Sequence, residues 1–156
     1  SEAHYREDSY KLRKPFKATS LYLRKSLLDE GLKIIDKYYS QPTVKANYTI
    51  FDSYGGQINM FPSDFNAFPH RNTIASVQIL AYWNNDSEKN NQLKWSNQYY
   101  AELEKFGEGA YRNYPDLSLN NWAHKYYGSN LSRLKQIKQK YDPNNLFSYE
   151  QSIPIE

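Results

Sequence analysis

At 156 residues, with 39% hydrophobic and 24% charged side chains, the chain has the size and balance of one folded domain, and 16 Tyr, seven Phe and three Trp must supply much of its burial. The formal net charge of +3 is small and the Lys and Arg residues are interspersed with Asp and Glu, which argues against a nucleic-acid surface; with no cysteine, disulfides, thiolate metal sites and thiol nucleophiles are excluded. No apolar run approaches the roughly 20 residues of a membrane span, and Ser1 to Glu7 lacks the apolar core of a signal peptide, so a soluble protein is expected, cytoplasmic by default with secretion left open.

Residues 1 to about 16 are polar and read as a leading strand or loop ending at Lys14-Pro15-Phe16-Lys17. From Ser20 the apolar positions Leu21, Leu23, Leu27, Leu28, Leu32, Ile34 and Ile35 recur mostly at three- and four-residue steps, predicting a helix that ends near Tyr39, before Gln41-Pro42. Val44 to Tyr54 is rich in β-branched and aromatic residues and predicts a strand. Gly55-Gly56 predicts a turn, Ile58 to Phe61 a short strand, and Pro62 to Asn66 a loop. Ile74 to Trp83 is the second strong strand, buried on both faces for part of its length.

Asn84 to Asn91 reads as a polar turn, followed by a helix through Leu93, Trp95, Tyr99, Tyr100, Leu103 and Phe106 to Gly107. Tyr111 to Tyr114 predicts a short strand stopped by Pro115. A helical turn around Trp122 and Tyr126 precedes Gly128, and Asn130 to Tyr141 repeats Leu131, Leu134, Ile137 and Tyr141 at helical spacing until Asp142-Pro143. Arg133, Lys135, Lys138 and Lys140 on this helix are expected to form a solvated face. The connection through Gly55-Gly56 favours antiparallel pairing, so the expected fold class is α+β, a mainly antiparallel sheet with helices packed on one face.

Seven strings occur in order: Phe16-Lys17-Ala18-Thr19-Ser20, Gly55-Gly56, Phe68-Pro69-His70-Arg71, Trp83, Gly109-Ala110-Tyr111-Arg112-Asn113-Tyr114-Pro115-Asp116, Asp142-Pro143-Asn144-Asn145-Leu146-Phe147 and Glu150-Gln151-Ser152-Ile153-Pro154. Together they resemble the C-terminal end of the berberine bridge enzyme-like FAD-linked oxidoreductases. The resemblance implies that residues 1 to 156 form one C-terminal substrate-binding region of a larger flavoprotein, with the FAD-binding domain upstream and absent from this chain. It further implies FAD as cofactor, O2 as acceptor, and an alcohol, carbohydrate or phenolic small molecule as substrate. Residue by residue, it makes Tyr114 the catalytic base, Asn113 and Tyr111 flavin contacts, and Gln78 a substrate contact.

Hydride loss from a carbon bearing a hydroxyl leaves a proton on oxygen, and a nearby base lowers that barrier. A phenol near pKa 10 serves only if something favours its ionisation. If residues 111 to 114 are extended, Arg112 shares a face with Tyr114, where it could stabilise the phenolate and touch substrate; an exposed arginine that only aids solubility is the plainer alternative. His70, between proline and arginine, fits a loop-fixing role better than catalysis, and Asp116 fits a turn cap. His4 and His124 lack partners at metal spacing, so no metal is expected. Asn47-Tyr48-Thr49, Asn85-Asp86-Ser87 and Asn130-Leu131-Ser132 match glycosylation sequons. Beside the flavoenzyme reading stand a ligand-binding module without redox chemistry and an inactive fragment. The chain alone is expected to bind flavin poorly.

Overall fold

A computed structural model of the chain describes residues 14–42 and 47–155. Four strands, β1 (Phe16–Leu23), β2 (Tyr48–Ser53), β3 (Ala75–Tyr82) and β4 (Gly107–Glu108), form one antiparallel sheet in the order β2-β3-β1-β4. The helices are α1 (Leu28–Tyr39), α2 (Gln57–Met60), α3 (Asp86–Leu103), α4 (Trp122–Tyr127) and α5 (Leu131–Tyr141). The fold is therefore α+β. Its sheet is built around the full-length pairing of β1 with β3, in which Phe16 lies opposite Tyr82 and Leu23 opposite Ala75.

The two-residue period of the strands sorts side chains onto two faces. Leu21, Leu23, Val77, Ile79 and Ala81 point to one side, where they form a single core with Ile34 and Tyr38 of α1 and Trp95, Tyr99 and Leu103 of α3. Each fully buried side chain of this size contributes about 1.5–3 kcal/mol. The aromatic members also need polar partners, and the fold supplies them. Trp95 Nε1 donates to the Tyr38 carbonyl at 3.0 Å, and Thr49 on β2 lies 2.7 Å from the Tyr39 hydroxyl and 3.3 Å from that of Tyr99.

Four elements differ from the sequence expectation. The helix predicted from Ser20 begins only at Leu28, and residues 16–23 are β1. Both faces of this strand are buried, so Leu21 and Leu23 on one face and Ser20 and Tyr22 on the other blur into a helix-like spacing. Ile58 to Phe61 forms no strand; Gln57–Met60 is one helical turn. The expected polar turn over 84–91 is mostly helix, because α3 already starts at Asp86. Its first turns are solvated and carry Asp86 and Glu88, which suit a helix N-terminus, and Glu88 accepts the Asn84 N–H at 2.7 Å. Tyr111 to Tyr114 is a turn, closed by Tyr114 N–H to the Tyr111 carbonyl at 2.9 Å. Strand β4 was not anticipated. The expected segments over residues 1–13 and 44–46 lie outside the described residues.

The C-terminal strings act as fasteners. Asp142 forms an ion pair with Lys138 and accepts the Leu146 N–H at 2.6 Å, which folds Asp142 to Phe147 back on the end of α5. Buried Gln151 donates to the Asp116 carbonyl at 2.8 Å and accepts from the Tyr126 hydroxyl at 3.1 Å. The tail thereby holds α4 against the segment that follows β4.

Candidate functional site

The sheet face turned away from α1 and α3 carries the even-numbered residues: Ser20 and Tyr22 of β1, Ser76 and Gln78 of β3, and Ile50 and Asp52 of β2. At the β1 end a cleft of about 710 Å³ opens, with Gln78, Asn113, Tyr114, Phe16, Trp83 and Leu117 in its walls. Three of the residues singled out from sequence, Gln78, Asn113 and Tyr114, are thus brought together, although 35 residues separate Gln78 from Asn113 along the chain.

The segment bearing Asn113 and Tyr114 leaves β4 at Gly109, whose φ is +69°. Only glycine fits there: a Cβ would lie 2.6 Å from Cε1 of His70. The segment then runs beside β1, and the Tyr111 N–H donates to Ser20 Oγ at 2.8 Å. The turn places the Tyr111 and Tyr114 rings edge to face at 5.1 Å, with an interplanar angle of 86°, and Asn113 Nδ2 donates to the Tyr111 hydroxyl at 2.7 Å. Because the segment is a turn, alternation does not put Arg112 beside Tyr114. The Arg112 guanidinium lies over the Tyr127 ring at 5.8 Å, where burial raises the Tyr127 pKa and the Arg112 charge offsets only part of that rise, and Arg112 is not in the cleft wall.

Electrostatics at Tyr114 run opposite to a preformed phenolate. Burial first, then the Asp52 carboxylate, then the Tyr111 and Tyr54 hydroxyls push its pKa above the ordinary phenol value. Asp52 was missed from sequence. Its one legible signal is an even position on β2, opposite Ser76 and hence on the face of Gln78.

His70 is 5% exposed and stacks on Tyr22 at 4.1 Å; burial pulls its pKa down to about 4, so it is neutral near pH 7. It lines a separate cavity of about 430 Å³, beside the ion pairs Arg24–Glu108 and Lys125–Glu104. Packing under Gly109 is what the geometry gives this histidine. Asp116 caps its own turn, accepting the Ser118 N–H at 3.0 Å. Among the described residues no group of three or more His, Asp or Glu side chains could hold a metal ion, and no helix is long and apolar enough to cross a membrane.

Known proteins resemble the chain over most of its length. Residues 110–154, which include the turn, α4, α5 and the tail, match the family described as "Berberine and berberine like". The chain is 32% identical over 139 residues to a Bacillus subtilis protein named "Uncharacterized FAD-linked oxidoreductase YgaK", covering 88% of this chain and 31% of that protein. It is 31% identical over 169 residues to the hexose oxidase of Chondrus crispus, covering 88% of this chain and 31% of the relative. Among solved structures, Physcomitrella patens BBE-like 1 superposes with a TM-score of 0.83 at 35% identity, over 92% of this chain and 31% of that one. The chain spans about a third of the length of the curated relatives it matches.

Proposed function

We propose that this chain, which belongs to the berberine bridge enzyme-like family of FAD-linked oxidoreductases and corresponds to their C-terminal part, forms the substrate side of a flavin-dependent oxidase active site. The observation that carries the reading is the convergence of Gln78, Asn113 and Tyr114 on one cleft. The substrate class is a small alcohol, carbohydrate or phenolic compound, the electron acceptor is O2, and the partner is an upstream FAD-binding portion of the same protein.

The residues present fit a flat heterocycle. Asn113 is exposed, with its amide held by the Tyr111 hydroxyl, and the Tyr111–Tyr114 pair offers an aromatic wall beside it. Asn113 and Tyr111 would hold the edge of the ring. When bound, a flavin supplies the acceptor for the hydride that leaves the substrate carbon. Gln78 orients the substrate hydroxyl from the sheet, and Tyr114 takes its proton.

Tyr114 is a neutral phenol near pH 7, as any phenol of ordinary pKa is, and its surroundings push its pKa further up. We therefore assign the base to a pair that acts across solvent. Tyr114 receives the substrate proton while its own passes by way of water toward the exposed Asp52 carboxylate, whose charge reaches the phenol without a direct hydrogen bond among the described residues. Arg112, held on Tyr127, has no part in this scheme.

The decisive experiment is Tyr114→Phe in the intact flavin-loaded protein, with reduction followed by loss of flavin absorbance on mixing with a hexose and with a benzylic alcohol. The expected loss is about 10²–10⁴-fold in rate. Normal turnover would remove Tyr114 from the chemistry. Titrating the isolated chain with FAD separates this reading from a stand-alone binding module: weak quenching is expected, and tight stoichiometric binding contradicts dependence on an upstream portion.

A further inference from the structure

We propose that Lys17 and Asp116 form a mount that sets the position of Tyr114, acting on the reaction as positioning residues; this rests on the reading of Tyr114 given above. Strand β1 pairs with β4 only at Tyr22 and Leu23, so its edge over residues 16–20 has no strand partner among the described residues. The segment 110–118 runs along that edge instead. It is tied to β1 at two points: the Tyr111 N–H on Ser20 Oγ, and the Lys17 ammonium 3.1 Å from Asp116 Oδ1. Arg112, Asn113, Tyr114 and Pro115 lie between the ties.

The second tie is built as a fixture. The Lys17 and Asp116 side chains are only 10% and 5% exposed. Lys17 Nζ also donates to Asn97 Oδ1 on α3 and to Ser118 Oγ, so all three ammonium protons face fixed acceptors and none is left for a substrate. Asp116 is gripped through its backbone as well. Its N–H donates to the Tyr126 hydroxyl at 3.0 Å, and its carbonyl accepts from Gln151. Strand β1, helix α4 and the C-terminal tail therefore meet on a residue two places beyond Tyr114, and α3 joins them through Lys17 and Ser118. A buried ion pair adds little net stability over two apolar side chains, because desolvation offsets the attraction. What it supplies is direction, since charge-assisted hydrogen bonds are short and angularly demanding. Both residues line the cleft with Tyr114, so a shift of the mount moves the wall that holds the phenol.

The test is the double variant Lys17→Met with Asp116→Asn, which removes both charges and leaves no uncompensated ion. Three results are expected: a melting temperature near that of the unmodified protein; faster deuterium exchange at the amides of residues 113–118 with β3 unchanged; and, in the flavin-loaded protein, a kcat about a hundredfold lower with little change in KM. Lys17→Arg should restore most of kcat and of the slow exchange. A pair that is only structural would lower the melting temperature and leave kcat of the folded fraction intact, and that outcome overturns the proposal, as does unchanged exchange at residues 113–118. Should the double variant not fold, Asp116→Glu keeps the charge and lengthens the arm by one methylene. It is expected to lower kcat while the protein melts normally, and an unaltered kcat counts against the mount. If Tyr114→Phe proves fully active, the tyrosine reading falls, while exchange at residues 113–118 still decides the mount.

Discussion

Burial of His70 gives the fold a measurable dependence on acid. The imidazole stacks on Tyr22 at 4.1 Å, and its pKa falls from the ordinary 6.5 to about 4 because desolvation penalises the cation. In the unfolded chain the same residue takes up a proton below about pH 6.5. Its contribution to stability is thus fully present above that pH, declines as pH falls toward 4, and is gone below it. The difference between the two pKa values corresponds to about 3 kcal/mol.

Carboxylates also titrate in this range, so the comparison must be with a variant that keeps the ring and loses the proton. His70→Phe does this, since phenylalanine can still stack on Tyr22. Urea unfolding of both proteins near pH 7 and near pH 4 should show the unmodified chain losing roughly 1–2 M more in midpoint than the variant, for an m-value near 2 kcal/mol/M. If both midpoints fall in parallel, His70 is not held neutral by the fold, and the account of its burial is wrong.

Three further outcomes follow from the geometry. Asp52→Asn removes the proton acceptor of the proposed pair; turnover near pH 7 should drop by about 10²-fold and recover as alkali ionises Tyr114 directly, and a pH–rate profile identical to the unmodified enzyme would exclude the pairing. Gly109→Ala places a methyl group 2.6 Å from the His70 ring at a φ of +69°, and should destabilise the fold by about 1–3 kcal/mol in thermal melts, whereas a neutral effect would mean that the segment takes another path. Of the three sequons, Asn47 is buried with its amide engaged by Gln92 and the Tyr82 N–H, and Asn130 donates to the Ser63 and Asn66 carbonyls. Expression in a glycosylating host should therefore modify Asn85 alone among them, and a glycan on Asn47 or Asn130 by peptide mass mapping would contradict the packing.

What could be read from sequence divides along local and long-range lines. Helix α5 was legible from its clean period and its stop at Asp142-Pro143, and strand β3 from a run rich in Val, Ile, Leu and Tyr bounded by the polar residues after Trp83. Strand β1 was not, since burial on both faces erases alternation, and the start of α3 was hidden because its first turns are solvated. The same division holds at the site. Gln78 and Tyr114 could be named from strings around them, but the meaning of Asp52 depends on a turn 62 residues later lying over its strand's face. The turn itself was misread because the partner of the Tyr111 N–H is Ser20, 91 residues away, and no local pattern announces that bond.

The segment that carries Tyr114 also does the work of a border. Without it, the backbone of β1 over residues 16–20 would offer open hydrogen-bonding groups to any passing strand, the situation that invites edge-to-edge aggregation. Cleft width and protection of the sheet edge are therefore coupled in this protein. Substitutions that loosen residues 110–118 to admit larger molecules should also uncover a sheet edge, so variants selected for a broader cleft will need a charged or proline residue on β1 to remain in solution.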